Sequence, residues 1–132
     1  MPDMPAGLRY SKDHLWARPG ADADLVRVGV TDFAQQSLGD VVDVSMPRPG
    51  GTVTAGEAFG DIESVKSVSD LIAPVTGTVR ARNDDLTGTP ELVNTDPYGQ
   101  GWMLEVETDP ATLSQQLAGL MDARAYRDLV GG

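Results

Sequence analysis

Few side chains in this sequence could do chemistry, and their scarcity is informative. There is no cysteine and one histidine, which excludes thiol catalysis, disulfides and Cys- or His-rich metal sites within the chain. A Ser-His-Asp triad would have to be built on His14 alone; a lone His two residues from Trp16 reads first as a packed, hydrogen-bonded structural residue. Lys12 and Lys66 are the only lysines among the 10 basic residues. Lys66 stands among small and β-branched neighbours in Gly60-Asp61-Ile62-Glu63-Ser64-Val65-Lys66-Ser67-Val68-Ser69-Asp70. A primary amine there could be acylated, which removes its charge and appends a new group. It could equally be a solvated turn residue offsetting Glu63 and Asp70. Composition alone does not separate the two.

Enzymatic signatures are missing. The sequence holds no Gly-x-Ser-x-Gly elbow, P-loop or Gly-x-Gly-x-x-Gly run, and the Asp84-Asp85 pair falls in a turn-rich stretch where solvated loop acids are the simpler explanation.

The elements that must position these residues are short. At 132 residues with 40% hydrophobic content, the chain is expected to form a single domain over 1–132. Twenty acidic residues against 10 basic give a net charge of −10, which argues against nucleic acid and suits basic protein surfaces. No apolar run is long enough to cross a bilayer, and Met1-Pro2-Asp3-Met4 has neither a basic nor an apolar leader, so a soluble, cytoplasmic protein is expected.

Fifteen glycines and nine prolines punctuate short runs and favour a mainly β body. Leu8 to Arg18 reads as two short strands around Ser11-Lys12-Asp13. Leu25 to Val30 is a strand, and Thr31 caps a helix over Asp32 to Leu38 that stops at Gly39. Further strands are expected over Asp40 to Met46 and Glu57 to Lys66, with a hairpin turn at Val65-Lys66-Ser67-Val68. One more strand, Asp70 to Arg82, is interrupted at Pro74 and Gly77. Asn83 to Gln100 should wrap the surface with one helical turn at most, before a last strand over Trp102 to Glu107. Tyr98 and Trp102 read as core or turn anchors. Asp109 and Asp122 then cap two helices. Leu113, Leu117 and Leu120 share a face in the first, and Tyr126, Leu129 and Val130 in the second, which ends at Gly131-Gly132. The β core thus runs from about 8 to 107 and the C-terminal helical layer from about 109 to 130. A faint internal echo, Gly51, Val53, Gly56 and Gly60 against Val75, Gly77 and Val79, is what two facing half-sheets joined at a hairpin would produce.

The stretch around Lys66 resembles the biotinyl and lipoyl carrier superfamily, in which a hairpin-tip lysine is acylated by a cofactor. Ala73-Pro74-Val75-Thr76-Gly77-Thr78-Val79 resembles the segment such modules carry after that lysine. Four blocks in order resemble the H-protein family of the glycine cleavage system. They are Tyr10 to Trp16, Val28 to Gln35 with Leu38 to Val42, Glu63 to Asp70, and Glu91 to Trp102. The biotinyl pattern of a lysine between methionines and the Asp-Lys-Ala of 2-oxoacid dehydrogenase lipoyl domains do not occur.

The resemblance implies a barrel-sandwich hybrid of two facing antiparallel sheets, with a short internal helix and C-terminal helices. It also implies a non-catalytic carrier with lipoate covalently attached to Lys66. The partners it implies are a pyridoxal-phosphate-dependent glycine decarboxylase, a tetrahydrofolate-dependent aminomethyltransferase, dihydrolipoyl dehydrogenase and the lipoate-attaching enzymes, met by a monomer. Glu63, Ser64, Val65, Ser69 and Asp70 are expected to support or mark the lysine, with Asp70 also holding the loaded amine. Asp13, His14 and Leu15 are the other candidates for the cleft that receives the arm. Most of the family has Glu where this chain has Leu15, which removes a charge-assisted contact; Asp13, close by, could substitute. A storage or relay protein that passes lipoyl groups to 2-oxoacid dehydrogenase subunits is the alternative use.

Overall fold

The computed structural model describes residues 4–20 and 24–131. Its elements in chain order are β1 (Arg9–Tyr10), β2 (Leu15–Pro19), β3 (Leu25–Val30), α1 (Asp32–Leu38), β4 (Val41–Ser45), β5 (Thr52–Val53), β6 (Ala58–Ser64), β7 (Val68–Ile72), β8 (Gly77–Arg82), α2 (Asp85–Gly88), α3 (Leu92–Thr95), β9 (Leu104–Glu107), α4 (Pro110–Ala118) and α5 (Ala123–Val130).

The strands form a six-stranded sheet, β1-β2-β3-β9-β8-β5, and a three-stranded sheet, β4-β6-β7. All pairings are antiparallel. Period-2 alternation aims Val26, Val28, Val79, Leu104 and Val106 of the first sheet into one apolar cluster with Val41, Val44, Ile62 and Leu71 of the second. This is the mainly β sandwich that the sequence leads one to expect. Leu113 of α4 is buried in that cluster, with Leu117 and Leu120 partly buried against it. A second cluster joins Tyr10, Trp16 and Tyr126.

Helix starts follow local chemistry. Thr31 Oγ1 accepts the Ala34 N–H at 3.1 Å to open α1, and Asp109 and Asp122 accept from Ala111 and Ala125 to open α4 and α5. Gly39 and Gly131, at φ 79° and 80°, end α1 and α5; Gly132 lies outside the described residues.

Four expectations need correction. The strand expected over Asp70 to Arg82 is two strands in different sheets, because Pro74 has no N–H for a ladder and Val75, fully buried, turns the chain into the core. Gly77 then starts β8 where a Cβ would run into the Glu107 carbonyl. The Lys66 hairpin does not join the two sheets, since β6 and β7 are neighbours in the smaller one. The echoing runs instead meet edge to edge, with Val53 opposite Gly77 in the β5–β8 pair. The segment over 83–100 forms two short helices, α2 and α3, each burying one apolar residue, Leu86 and Val93. Leu129 does not share the buried side of α5 with Tyr126, being 51% exposed.

Candidate functional site

Lys66 sits at the tip of the β6–β7 hairpin, and the tip is held by its own neighbours. Ser64 is buried, and its Oγ accepts the Ser67 N–H at 3.2 Å and, more loosely, that of Lys66 at 3.4 Å. The same hydroxyl donates to the Ser67 carbonyl at 3.3 Å. Such side-chain to backbone bonds replace ladder bonds where a strand must turn. From outside the hairpin, the Val65 N–H donates to the Asp40 carbonyl at 3.0 Å. That carbonyl belongs to the α1–β4 connection, which Asn94 of α3 fixes in turn. Its side chain donates to the Gly39 carbonyl at 2.8 Å and accepts the Val41 N–H at 2.9 Å. A Cβ on Gly39 would lie 3.7 Å from Lys66 Cε, so the lysine stem passes close over this connection. The backbone at the tip is thus rigid while the Lys66 side chain remains exposed.

Val65 and Val68, beside the lysine, are 70% and 63% exposed, and Val42 in the β4 bulge is 47% exposed. These are three of the four exposed large hydrophobic residues among the described ones, the other being Leu129. The outer sheet face carries carboxylates in register: Asp43 opposite Glu63, and Asp61 opposite Asp70.

Beside this sheet lies a cleft of about 220 Å³. It brings Asp13, His14 and Leu15, from the β1–β2 turn and the start of β2, together with Ser69 and Asp70 of β7. Phe33 and Leu38 of α1 supply apolar wall. Glu63, Ser64 and Val65 are outside the cleft lining and belong to the hairpin itself. Lys12 faces a different hollow, with Pro74 and Leu120. Leu15 is 2% exposed and belongs to the main apolar cluster, so this part of the cleft wall is continuous with the core.

His14 is the one non-glycine residue with positive φ among those described, at 70°, a conformation that needs outside support. Its N–H donates to the Ser11 carbonyl at 3.1 Å, and its own carbonyl accepts from Thr31 at 3.0 Å. The ring packs on Phe33 at 4.9 Å and places Nδ1 2.8 Å from the Tyr126 hydroxyl. Burial holds the imidazole below its ordinary pKa, with Asp13 pulling the other way. Burial raises the Tyr126 phenol, partly opposed by its bond to Thr31. The Tyr98 hydroxyl accepts the Asp32 N–H at 3.0 Å, and Trp16 Nε1–H donates to the Pro97 carbonyl at 3.0 Å; both rings anchor turns.

Asn94, Val42 and Tyr126 matter to this site and were not separable by sequence reasoning, because each reaches it from a distant element. No group of acids or histidines suited to a metal ion occurs among the described residues, and no helix there is long and apolar enough to cross a membrane.

Comparison with known proteins gives a consistent result. The sequence model of the family described as Glycine cleavage H-protein matches residues 8–131. A glycine cleavage system H protein of Mycobacterium avium (strain 104) is 57% identical over 128 residues, 96% of each chain. That of Mycolicibacterium smegmatis is 53% identical over 130 residues, 98% of each chain. The crystal structure of a glycine cleavage system H protein from Mycobacterium marinum superposes with a TM-score of 0.86 at 39% identity, covering 98% of this chain and 100% of the other.

Proposed function

The chain belongs to the glycine cleavage H-protein family, and from that premise we propose that Lys66 carries a lipoyl group in amide linkage and presents it in turn to the enzymes of the system. A carrier role in glycine cleavage follows from the family. The observation that carries the assignment to Lys66 is its exposure at a hairpin tip whose backbone is fixed by Ser64 and Asp40. Lys12 is likewise exposed in a turn, between β1 and β2, where the Ser11 hydroxyl accepts the Leu15 N–H; Lys66 alone stands in the Glu63 to Asp70 block that resembles the family's lipoylation motif.

The site fits such a group. Asp70 is four residues from Lys66, the last of them in β7, so it lies within about 13 Å of the tip at no more than about 3.3 Å per residue, a span that a lysine prolonged by an octanoyl-length chain covers. The cleft there combines apolar walls for a hydrocarbon arm with carboxylates for a cation. When attached, lipoate would supply a disulfide that is reduced as it takes up the aminomethyl group left when glycine loses carbon dioxide; the carbon would pass to tetrahydrofolate with release of ammonia, and dihydrolipoyl dehydrogenase would reoxidise the dithiol.

This chain's residues do the rest. Acylation at Lys66 removes the one lysine charge at the tip, and Val42, Val65 and Val68 then offer a small apolar contact surface ringed by Asp43, Glu63 and Asp70. That pattern suits basic, apolar-centred mouths on the decarboxylase, the aminomethyltransferase, dihydrolipoyl dehydrogenase and the lipoate-attaching enzyme. Asp70 and Asp13 hold the ammonium of the loaded arm, Asp13 taking the part that the family's Glu would play at Leu15. The protein acts as a monomer in the cytoplasm and catalyses no step itself.

Glycine–carbon dioxide exchange with the cognate decarboxylase tests this reading. Lipoylated wild type and Lys12→Arg should support exchange, and Lys66→Arg should abolish it. Exchange by Lys66→Arg would overturn the assignment. A lipoylated protein that supports none would instead be a relay for 2-oxoacid dehydrogenase subunits.

A further inference from the structure

We infer that Thr31 and Tyr126 lock the His14 imidazole as its neutral Nε2–H tautomer, making Tyr126 a positioning residue for the cleft that receives the arm. Thr31 and Tyr126 are both fully buried, so their hydroxyl protons must be used inside the protein. Thr31 Oγ1 already accepts the Ala34 N–H as the cap of α1. Its own proton has one remaining partner, the Tyr126 hydroxyl oxygen at 2.7 Å. With that oxygen accepting, the Tyr126 proton goes to its other contact, His14 Nδ1 at 2.8 Å. Nδ1 is therefore an acceptor, and the single proton of the neutral ring sits on Nε2.

The reverse arrangement is costly. A proton on Nδ1 would turn the Tyr126 hydroxyl toward Thr31 and leave the Thr31 proton buried without an acceptor. Burial of the ring opposes the imidazolium independently. The ring is not free to escape, being held between Phe33 and Tyr126. Tyr126 itself stacks on Tyr10 at 4.8 Å and 6°. α5 thus backs the cleft through Tyr126, which lines none of it but holds His14, 112 positions away, from behind.

The consequence rests on the carrier reading above. The charged groups lining the cleft with His14 are Asp13 from its own turn and Asp70 from β7; α1 contributes Phe33 and Ser37 but no charge, and α5 meets the ring only through Tyr126. An imidazolium would pair with one of those carboxylates and compete with the ammonium of a loaded arm. Kept neutral, His14 leaves both free and adds an N–H donor at Nε2.

The test uses the full-length, unlipoylated, 15N-labelled chain, whose sole histidine gives one set of imidazole signals. The wild type should show the Nε2–H tautomer and a titration midpoint below 6.5. Tyr126→Phe keeps the ring but removes the relay. It should mix the tautomers and raise the midpoint by roughly 0.7 unit, the equivalent of one ordinary hydrogen bond. Thr31→Ser should preserve the wild-type pattern, and so should a folded Thr31→Val, in which the buried Tyr126 proton has His14 Nδ1 as its one acceptor. A wild-type ring protonated at Nδ1 overturns the inference whatever the variants do, as does a folded Tyr126→Phe with unchanged tautomer and midpoint. Because no lipoyl group is involved, failure of the lock and failure of the carrier reading are distinguishable. In lipoylated, loaded protein, Tyr126→Phe should release ammonia several-fold faster than wild type below pH 6.5, and equal rates would refute the positioning role.

Discussion

Asp61 and Asp70 are direct partners across the β6–β7 register, and one row nearer the tip Asp43 faces Glu63 across β4–β6. The three ion pairs among the described residues, Arg27–Glu105, Arg80–Glu107 and Arg82–Asp84, lie elsewhere. Like charges placed directly opposite each other destabilise a sheet, so this face carries a cost that none of those ion pairs offsets. A basic partner surface would relieve it.

Neutralising one member of the row should therefore make the free protein more stable and a worse partner. Asp61→Asn is expected to raise unfolding free energy by about 0.2–1 kcal/mol. The same change should slow encounter with a basic partner and flatten the salt dependence of that rate. Denaturant unfolding and stopped-flow association over a salt series check both, and a destabilised Asp61→Asn would contradict the repulsion argument.

Stability should fall in mild acid because of His14. Its folded pKa is depressed below the unfolded 6.5, so the neutral ring contributes stability that is fully present above pH 6.5 and is lost as pH falls through the folded value. Thermal melts between pH 7.5 and 5 should show this loss in wild type. His14→Gln, which cannot titrate, should give a flatter profile over the same range.

Leu15 and Asp13 divide the cleft between packing and charge. Ammonia leakage from loaded protein should rise in Asp13→Ala and fall in Leu15→Glu, and equal leakage in both variants and wild type would sink the idea that Asp13 substitutes. Since Leu15 is 2% exposed within the main cluster, Leu15→Glu should also lose stability, by about 2 kcal/mol or more.

Gly29 tests the packing that carries the β1–β2 turn. A Cβ there would lie 2.8 Å from Trp16 Cζ2, against a fully buried ring. Gly29→Ala should cost about 1–3 kcal/mol, read from the denaturation midpoint. An unchanged midpoint would show that the Trp16 ring can shift without loss.

Much of the positioning frame was legible because it is local. Thr31, Gly39, Asp109 and Asp122 are caps whose chemistry acts within a turn, and α1 begins and ends where they predict. β3 was equally plain from its apolar run. What stayed hidden is non-local. Nothing in the sequence marks that Asp70 to Arg82 changes sheets, since Pro74 and Gly77 fit a kinked edge strand as well as a crossover. The cleft is legible only in part. Asp13, His14, Leu15, Ser69 and Asp70 were singled out and do meet, but through a resemblance rather than through any periodicity. Tyr126 read as an apolar position of an amphipathic helix, and its hydroxyl's partners, Thr31 and His14, could not be found from spacing.

Intact-mass and peptide mass spectrometry of the chain from a lipoylation-competent cell decides whether Lys66 carries the lipoyl group. A lipoyl or octanoyl adduct on the peptide containing Lys66, with Lys12 unmodified, is the expected result; an adduct confined to Lys12, or persistent absence of any adduct, would contradict it.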